Sequence, residues 1–265
     1  MDECLDMSGR VSLVTGAGSG IGRGAAIELA RLGSSLALLG RTTAELEQSK
    51  QEVDKWGVSS RTYRADVAKW GELKASIDQV AEDFGRLDAV FANAGINGVW
   101  APIEEILEEE YDATMDINLK GTFMTIKFAV PHLRRQSKGS VVVCSSVNGN
   151  RIFSNTGATV YSASKAGQVA MAKMLAIELG RHGIRVNAIC PGAVATNIGD
   201  NTEQRHREGL GQPVEYPEGR IPLSDKERGT VEQVGRLVAF LVSDASDYIN
   251  GEVVYIDGGE SLVQG

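Results

Sequence analysis

The feature that most constrains this chain is the alternation of short, unbroken apolar runs with amphipathic stretches of helix length. The runs are VSLVT (11–15), SLALLG (35–40), SSRTYRA (59–65), LDAVFAN (87–93), SVVVCSS (140–146), RVNAIC (185–190) and EVVYID (252–257). Most lack polar alternation, as strands of a sheet covered on both faces do. Helical patterns lie between them, near 21–32, 43–56, 69–84, 103–134, 158–181 and 230–243. Strands joined by helical crossovers wind right-handedly, which predicts one α/β domain over residues 1–265: a doubly wound, mostly or fully parallel seven-stranded sheet with helices on both faces. The connection from about 193 to 229 is long, charged and broken by Gly and Pro. A loop of that length is either a lid with short helices of its own or a solvated excursion, and a substrate lid is the expectation.

Glycine is the compositional outlier, at 31 of 265 residues against a usual ~7%. The glycines are scattered, so they mark turns and close backbone approaches rather than a fibre or linker. A net charge of −8 lacks the basic footprint of a nucleic-acid binder. Cys4, Cys144 and Cys190 have neither disulfide-framework nor zinc spacing. The start, MDECLDMSGR, is acidic without a secretory apolar core, and no apolar run approaches ~18 residues. A cytoplasmic protein without membrane partners is expected.

The first strand runs into VTGAGSGIGRGAAIELA. Glycines 16, 18, 20 and 22, with Ser19 and Ile21 between them, let the backbone turn sharply and bring its N–H groups against a pyrophosphate, at the positive end of the next helix. A tight turn alone would also explain them; the place at the end of the first strand of a βαβ unit favours a dinucleotide. Nineteen residues after Gly22, where an acidic residue usually holds the ribose 2′-OH of NAD, stands Arg41. That exchange favours NADP(H), with NAD(H) still possible because an arginine also stacks on adenine. Asp66, beside Val67 at the end of the third strand, either accepts from the adenine amino group or caps the next helix.

In YSASK, Tyr161 and Lys165 stand one above the other at helical spacing. The pair alone does not separate packing from proton transfer.

Taken together, TGAGSGIG (15–22), NAG (93–95), DINLKGTF (116–123), CSS (144–146), YSASK (161–165), CPGAVAT (190–196) and IDGG (256–259) make the chain resemble the short-chain dehydrogenase/reductases, in their single-domain, Rossmann-like branch. The resemblance covers nearly the whole length. It implies hydride transfer between NAD(P) and a carbonyl or secondary alcohol, with Tyr161 as proton donor and acceptor. A phenol with a pKa near ~10 needs about three units of help at neutral pH; an adjacent ammonium such as Lys165 supplies roughly one to three. By the same resemblance Ser146 holds the substrate oxygen and Asn118 supports a water and the lysine in a proton relay. Asn93, Ala94 and Gly95 border the adenine ribose, and Pro191, Gly192, Val194 and Thr196 fix the nicotinamide. Ser146 lies fifteen residues before Tyr161, two more than is usual, with Asn148 at the usual distance and Ser145 as a possible substitute.

Substrate candidates are Asn97, Trp100, Asn148 and Asn155, with Asn150, Arg151 and Val194 nearby. So many amides suggest a sugar, polyol or sugar acid. Arg205, His206 and Arg207 either meet an anionic group or form a solvated charge run, while His132, His182 and the acidic run 104–111 need no catalytic role. The resemblance also implies a homodimer or homotetramer built on the helices at 103–134 and 158–181. The alternatives are a 3-oxoacyl-thioester reductase, weakened by INGVW after NAG, and a nucleotide-sensing regulator without turnover. An enoyl reductase of the related branch would space its tyrosine and lysine more widely.

Overall fold

The computed structural model describes residues 3–211, 221–224 and 227–264. Seven parallel strands form one sheet in the order β3-β2-β1-β4-β6-β7-β9: β1 Val11–Thr15, β2 Ser35–Gly40, β3 Ser60–Arg64, β4 Ala89–Ala92, β6 Gly139–Cys144, β7 Ile184–Pro191 and β9 Val253–Ile256. Strands β1 and β4 are buried along their whole length, whereas the edge strands β3 and β9 are only partly covered. That gradient is the physical reason the inner runs read as continuously apolar.

One face of the sheet carries α1 (Gly20–Arg31), α2 (Thr43–Asp54) and α7 (Val231–Val242), packed through Ala26, Leu29, Leu46 and Val238. The other carries α3 (Trp70–Phe84), α5 (Gly121–Arg135) and α6 (Thr159–Gly180), packed through Ile77, Met124, Ala129 and Ala172. Among the described residues no helix is long and apolar enough to cross a membrane.

The helix expected over 103–134 starts at Glu108 and runs to Arg135 with one irregularity. A 3-10 turn at Ile103–Glu105 precedes α4 (Glu108–Met115), and a π turn at Asp116–Lys120 separates α4 from α5. The cause is Asn118. Its Oδ1 accepts from Ile96 N at 2.8 Å, and its Nδ2 donates to Ile96 O at 2.9 Å and to Ser164 Oγ at 3.0 Å. Reaching a strand exit 22 residues away in sequence takes the side chain off the helical path, and one extra residue in the turn accommodates it. Asn118→Ala leaves both Ile96 groups without these partners and should cost about 2–3 kcal/mol, read as a lower urea midpoint; an unchanged midpoint would contradict the assignment.

Two short strands were not foreseen. β5 (Gly98–Trp100) pairs in parallel with β8 (Thr202–Gln204), so the start of the long 193–229 segment is fastened to the loop leaving β4. Of its expected short helices, a 3-10 turn is present at Asn197–Asn201, and residues 212–220 and 225–226 lie outside those described. A short α8 (Glu260–Gln264) ends the described chain.

Candidate active site

Strand order reverses between β1 and β4, and the turns leaving them open a cleft at the carboxyl edge of the sheet, where open α/β sheets bind ligands. Thr15 Oγ1 accepts from Asn93 N at 3.0 Å and from Ala94 N at 3.1 Å, and Asn93 Nδ2 donates to Thr15 O at 3.0 Å. The two turns are thereby locked together. Gly16 adopts φ +65°, and a Cβ on Gly22 would collide with the Gly16 carbonyl, so neither position admits a side chain without moving the backbone. The Arg23 guanidinium donates to the Gly18 carbonyl and braces the turn. Ser19 makes no side-chain cap, so the first turn of α1 presents its N–H groups to the cleft.

A cavity of about 670 Å³ follows this edge, within the usual ~300–1,000 Å³ of ligand sites. Of the residues expected to hold the cofactor, all line it except Gly22, which packs behind the turn. Glycines without room for a Cβ, an uncapped helix start and exposed Arg41 at one end, with a tyrosine and a lysine at the other, fit a nicotinamide dinucleotide. Asp66 Oδ1 accepts from Ala68 N at 2.9 Å, a local turn ahead of α3, while the residue still faces the cavity.

At the other end, the first turn of α6 carries Tyr161. Burial pushes its phenol up to about 12, against a hydrogen bond with Ser146 that lowers it. Lys165 is 4% exposed; burial lowers its pKa. Its Nζ donates to Cys144 O at 2.9 Å and lies 5.6 Å from the Tyr161 ring centre. Both serines line the cavity; Ser145 Oγ donates to Lys165 O at 2.7 Å, and Ser146 is the one that lowers the phenol's pKa. Ser146 Oγ also accepts from Asn148 N at 3.2 Å, capping a 3-10 turn at Val147–Gly149.

Asn118 does not line the cavity. It stands behind Gly95, where a Cβ would lie 3.2 Å from Asn118 Oδ1 and 3.4 Å from Lys165 Nζ. Its carbonyl accepts from Thr122 Oγ1 at 2.7 Å and from Gln168 Nε2 at 2.8 Å. Sequence reasoning missed Gln168, although Tyr161, Ser164, Lys165 and Gln168 form a polar stripe at helical spacing and all four are buried.

The substrate candidates divide. Asn97, Trp100, Asn148, Asn155 and Val194 line the cavity; Asn150 and Arg151 do not. Asn150 Nδ2 turns to Cys190 Sγ, and the Arg151 guanidinium stacks 3.4 Å over the Tyr255 ring. Asn155 Nδ2 donates to Asn148 Oδ1 at 2.8 Å, and Trp100 lies 6.3 Å from Tyr161, centre to centre. In the charged run, Arg205 and Arg207 are partly buried, His206 is exposed, and none of the three lines the cavity. Arg205 pairs with Glu110 at 2.7 Å, His206 with Glu105 at 2.7 Å, and Arg207 lies 5.2 Å over the Trp100 ring. Two acids of the run 104–111, Glu110 and Glu105, therefore receive Arg205 and His206. His132 Nε2 bonds Asp78 Oδ1 at 2.8 Å, joining α5 to α3, and His182 meets Arg181 at the surface. Also unforeseen in the cavity wall are Glu45, Ile152 and Glu260; the last accepts from Ala193 N at 2.7 Å.

Residues 16–261 match a family model described as enoyl-(acyl carrier protein) reductase. A levodione reductase from Leifsonia aquatica is 38% identical over 256 residues, 95% of this chain and 94% of that one. A 3-oxoacyl-[acyl-carrier-protein] reductase from Thermotoga maritima is 35% identical over 255 residues, 96% of this chain and 99% of that one. The crystal structure of a 3-ketoacyl-ACP reductase from Sinorhizobium meliloti 1021 superimposes with a TM-score of 0.92 at 48% identity, over 95% of this chain and 99% of that one. The chain belongs to the short-chain dehydrogenase/reductase family and is an NAD(P)-dependent oxidoreductase of carbonyl and alcohol groups.

Proposed function

We propose that this chain reduces a compact, oxygen-rich ketone with NADPH, in one domain that holds both cofactor and substrate. The observation that carries the reading is the meeting of Tyr161, Ser146 and Lys165 at one end of a cavity whose other end holds the glycine turn and Arg41. Bound there, the cofactor would supply the hydride. Ser146 Oγ holds the carbonyl oxygen, and the Tyr161 phenol, protonated across neutral pH, donates its proton to that oxygen. Lys165 stabilises the phenolate left behind. Asn118 acts from behind Gly95, holding Ser164 and the Ile96 backbone in place. The glycine turn and the start of α1 would take the pyrophosphate, Asp66 and Val67 would flank the adenine, Asn93 to Gly95 would border its ribose, and Pro191, Gly192, Val194 and Thr196 would hold the nicotinamide. The catalytic residues being together favours turnover over a sensing role.

The Asn148–Asn155 amide pair beside Ser146 supports a substrate with further oxygens, such as a sugar, polyol or sugar acid. The second reading, a 3-oxoacyl-thioester reductase, is favoured by the name of the 48%-identical relative. Oxidation of NADPH with acetoacetyl-CoA against a panel of ketoses separates the two: turnover of the thioester alone would overturn the first. For the cofactor, Arg41→Asp should reverse a preference for NADPH over NADH by at least about tenfold, since it replaces a guanidinium with a like charge beside the 2′-phosphate. Equal ratios before and after would sink the assignment. Phe123, Met174 and Ile177 are exposed on α5 and α6, which supports pairing of copies across these helices in a dimer or tetramer of a cytoplasmic enzyme.

A further inference from the structure

The sequence entering α2, Arg41-Thr42-Thr43-Ala44-Glu45, has the makings of a capping box: a threonine at the N-cap and a glutamate three residues on. The same pattern at α7 closes, with Gln233 N donating to Thr230 Oγ1 and Thr230 N to Gln233 Oε1. At α2 it does not. Thr42 is the N-cap and makes no side-chain cap. Glu45 instead lies over the glycine turn: a Cβ on Gly18 would stand 2.9 Å from Glu45 Cβ and 3.1 Å from its Oε2. Gly18, Arg41, Thr42 and Glu45 all line the same end of the cavity, and Glu45 is exposed. A local capping interaction has been given up, and the carboxylate stands at the cofactor's adenosine end.

The two nicotinamide cofactors differ there by one group, a hydroxyl or a phosphate on the ribose 2′ carbon. A carboxylate accepts a hydrogen bond from the hydroxyl and repels the phosphate; a guanidinium attracts the phosphate. Glu45 and Arg41 therefore act in opposite senses on the same atom. We propose that Glu45 is a second selector of the cofactor. Over Gly18 its carboxylate accepts from the ribose hydroxyl of NAD(H); for NADP(H) it swings back to close the box with Thr42, clearing the position for the phosphate. The pair lets the chain use both cofactors, with Arg41 setting the direction of the preference and Glu45 limiting its size. This deepens the cofactor reading above and rests on it for the placement of the adenosine.

The test is a fluorescence titration of the full chain with NADPH and with NADH, at low and high salt. Because Glu45 is exposed, the isosteric Glu45→Gln keeps the fold. Its Kd for NADPH should fall about tenfold while that for NADH rises a few-fold, and the NADPH gain should shrink in high salt because it is Coulombic. An unchanged NADPH-to-NADH ratio would overturn the proposal, as would equal tightening of both cofactors, which would mean simple steric relief. Arg41→Asp, titrated in parallel, reports on the phosphate preference alone. A ratio that moves in Glu45→Gln but not in Arg41→Asp removes Arg41 as selector and leaves Glu45 in that role.

Discussion

Tyr161→Phe should abolish turnover to within about one part in 10³, while the Kd for NADPH stays within about twofold. The exchange removes one oxygen and keeps the ring against Trp100, so packing and cofactor contacts persist. What is lost is the proton that the carbonyl oxygen must receive; general acid catalysis is worth roughly 10²–10⁴, and the hydrogen bond to Ser146 goes with it. The pH dependence follows in sign. Burial holds the phenol up to about 12 in the protein alone, so the proton-bearing form dominates at neutral pH and reduction should not gain from added base. Oxidation needs the phenolate, the minor form, and should climb about tenfold per pH unit. An active phenylalanine variant, or reduction that rises with pH as oxidation does, would refute the assignment of Tyr161.

Lys165→Met should lower turnover by about 10²–10³, because the phenolate left by proton transfer loses its adjacent cation. The side chain is buried and its ammonium is bonded to the Cys144 carbonyl. Methionine fills a similar volume but leaves that carbonyl without its donor, so some loss of stability accompanies the loss of rate. The urea midpoint separates the two effects, because a destabilised but chemically intact site would keep its rate wherever the chain remains folded. Full turnover in the folded Lys165→Met variant would confine Lys165 to a structural role.

The sheet and most of its helices could be read from the chain because the signal is local: an apolar run five residues long is already a strand covered on both faces. The glycine turn was legible for the same reason. The π turn at Asp116–Lys120 was not, since the Ile96 backbone that Asn118 reaches lies outside the helix. Three-residue strands such as β5 and β8 are too short to carry a period. The place of Arg205 defied reading for a related reason: it finds Glu110, 95 residues away. Asn150 and Arg151 were misplaced by proximity. Neighbours of Asn148 in sequence, they sit past the Val147–Gly149 turn, which directs them away from the cavity. Glu45 was hidden by its ordinary place in a helix's first turn, where an acid needs no further reason.

The π turn has a consequence for the chain's tolerance of length changes. One residue beyond an α-helical turn retards the helix by about 100°, so α4 and α5, nearly one rod in the chain's course, run out of phase. In α4 that phase sets Thr114 under Gly98, where a Cβ would collide with the threonine hydroxyl; in α5 it turns Met124 and Phe128 into the sheet. A chain one residue shorter between 116 and 120 would form a regular helix and misplace one side or the other. Asn118 thus stands at a dislocation, and the helical phase on either side of it is as much a part of the site as any side chain.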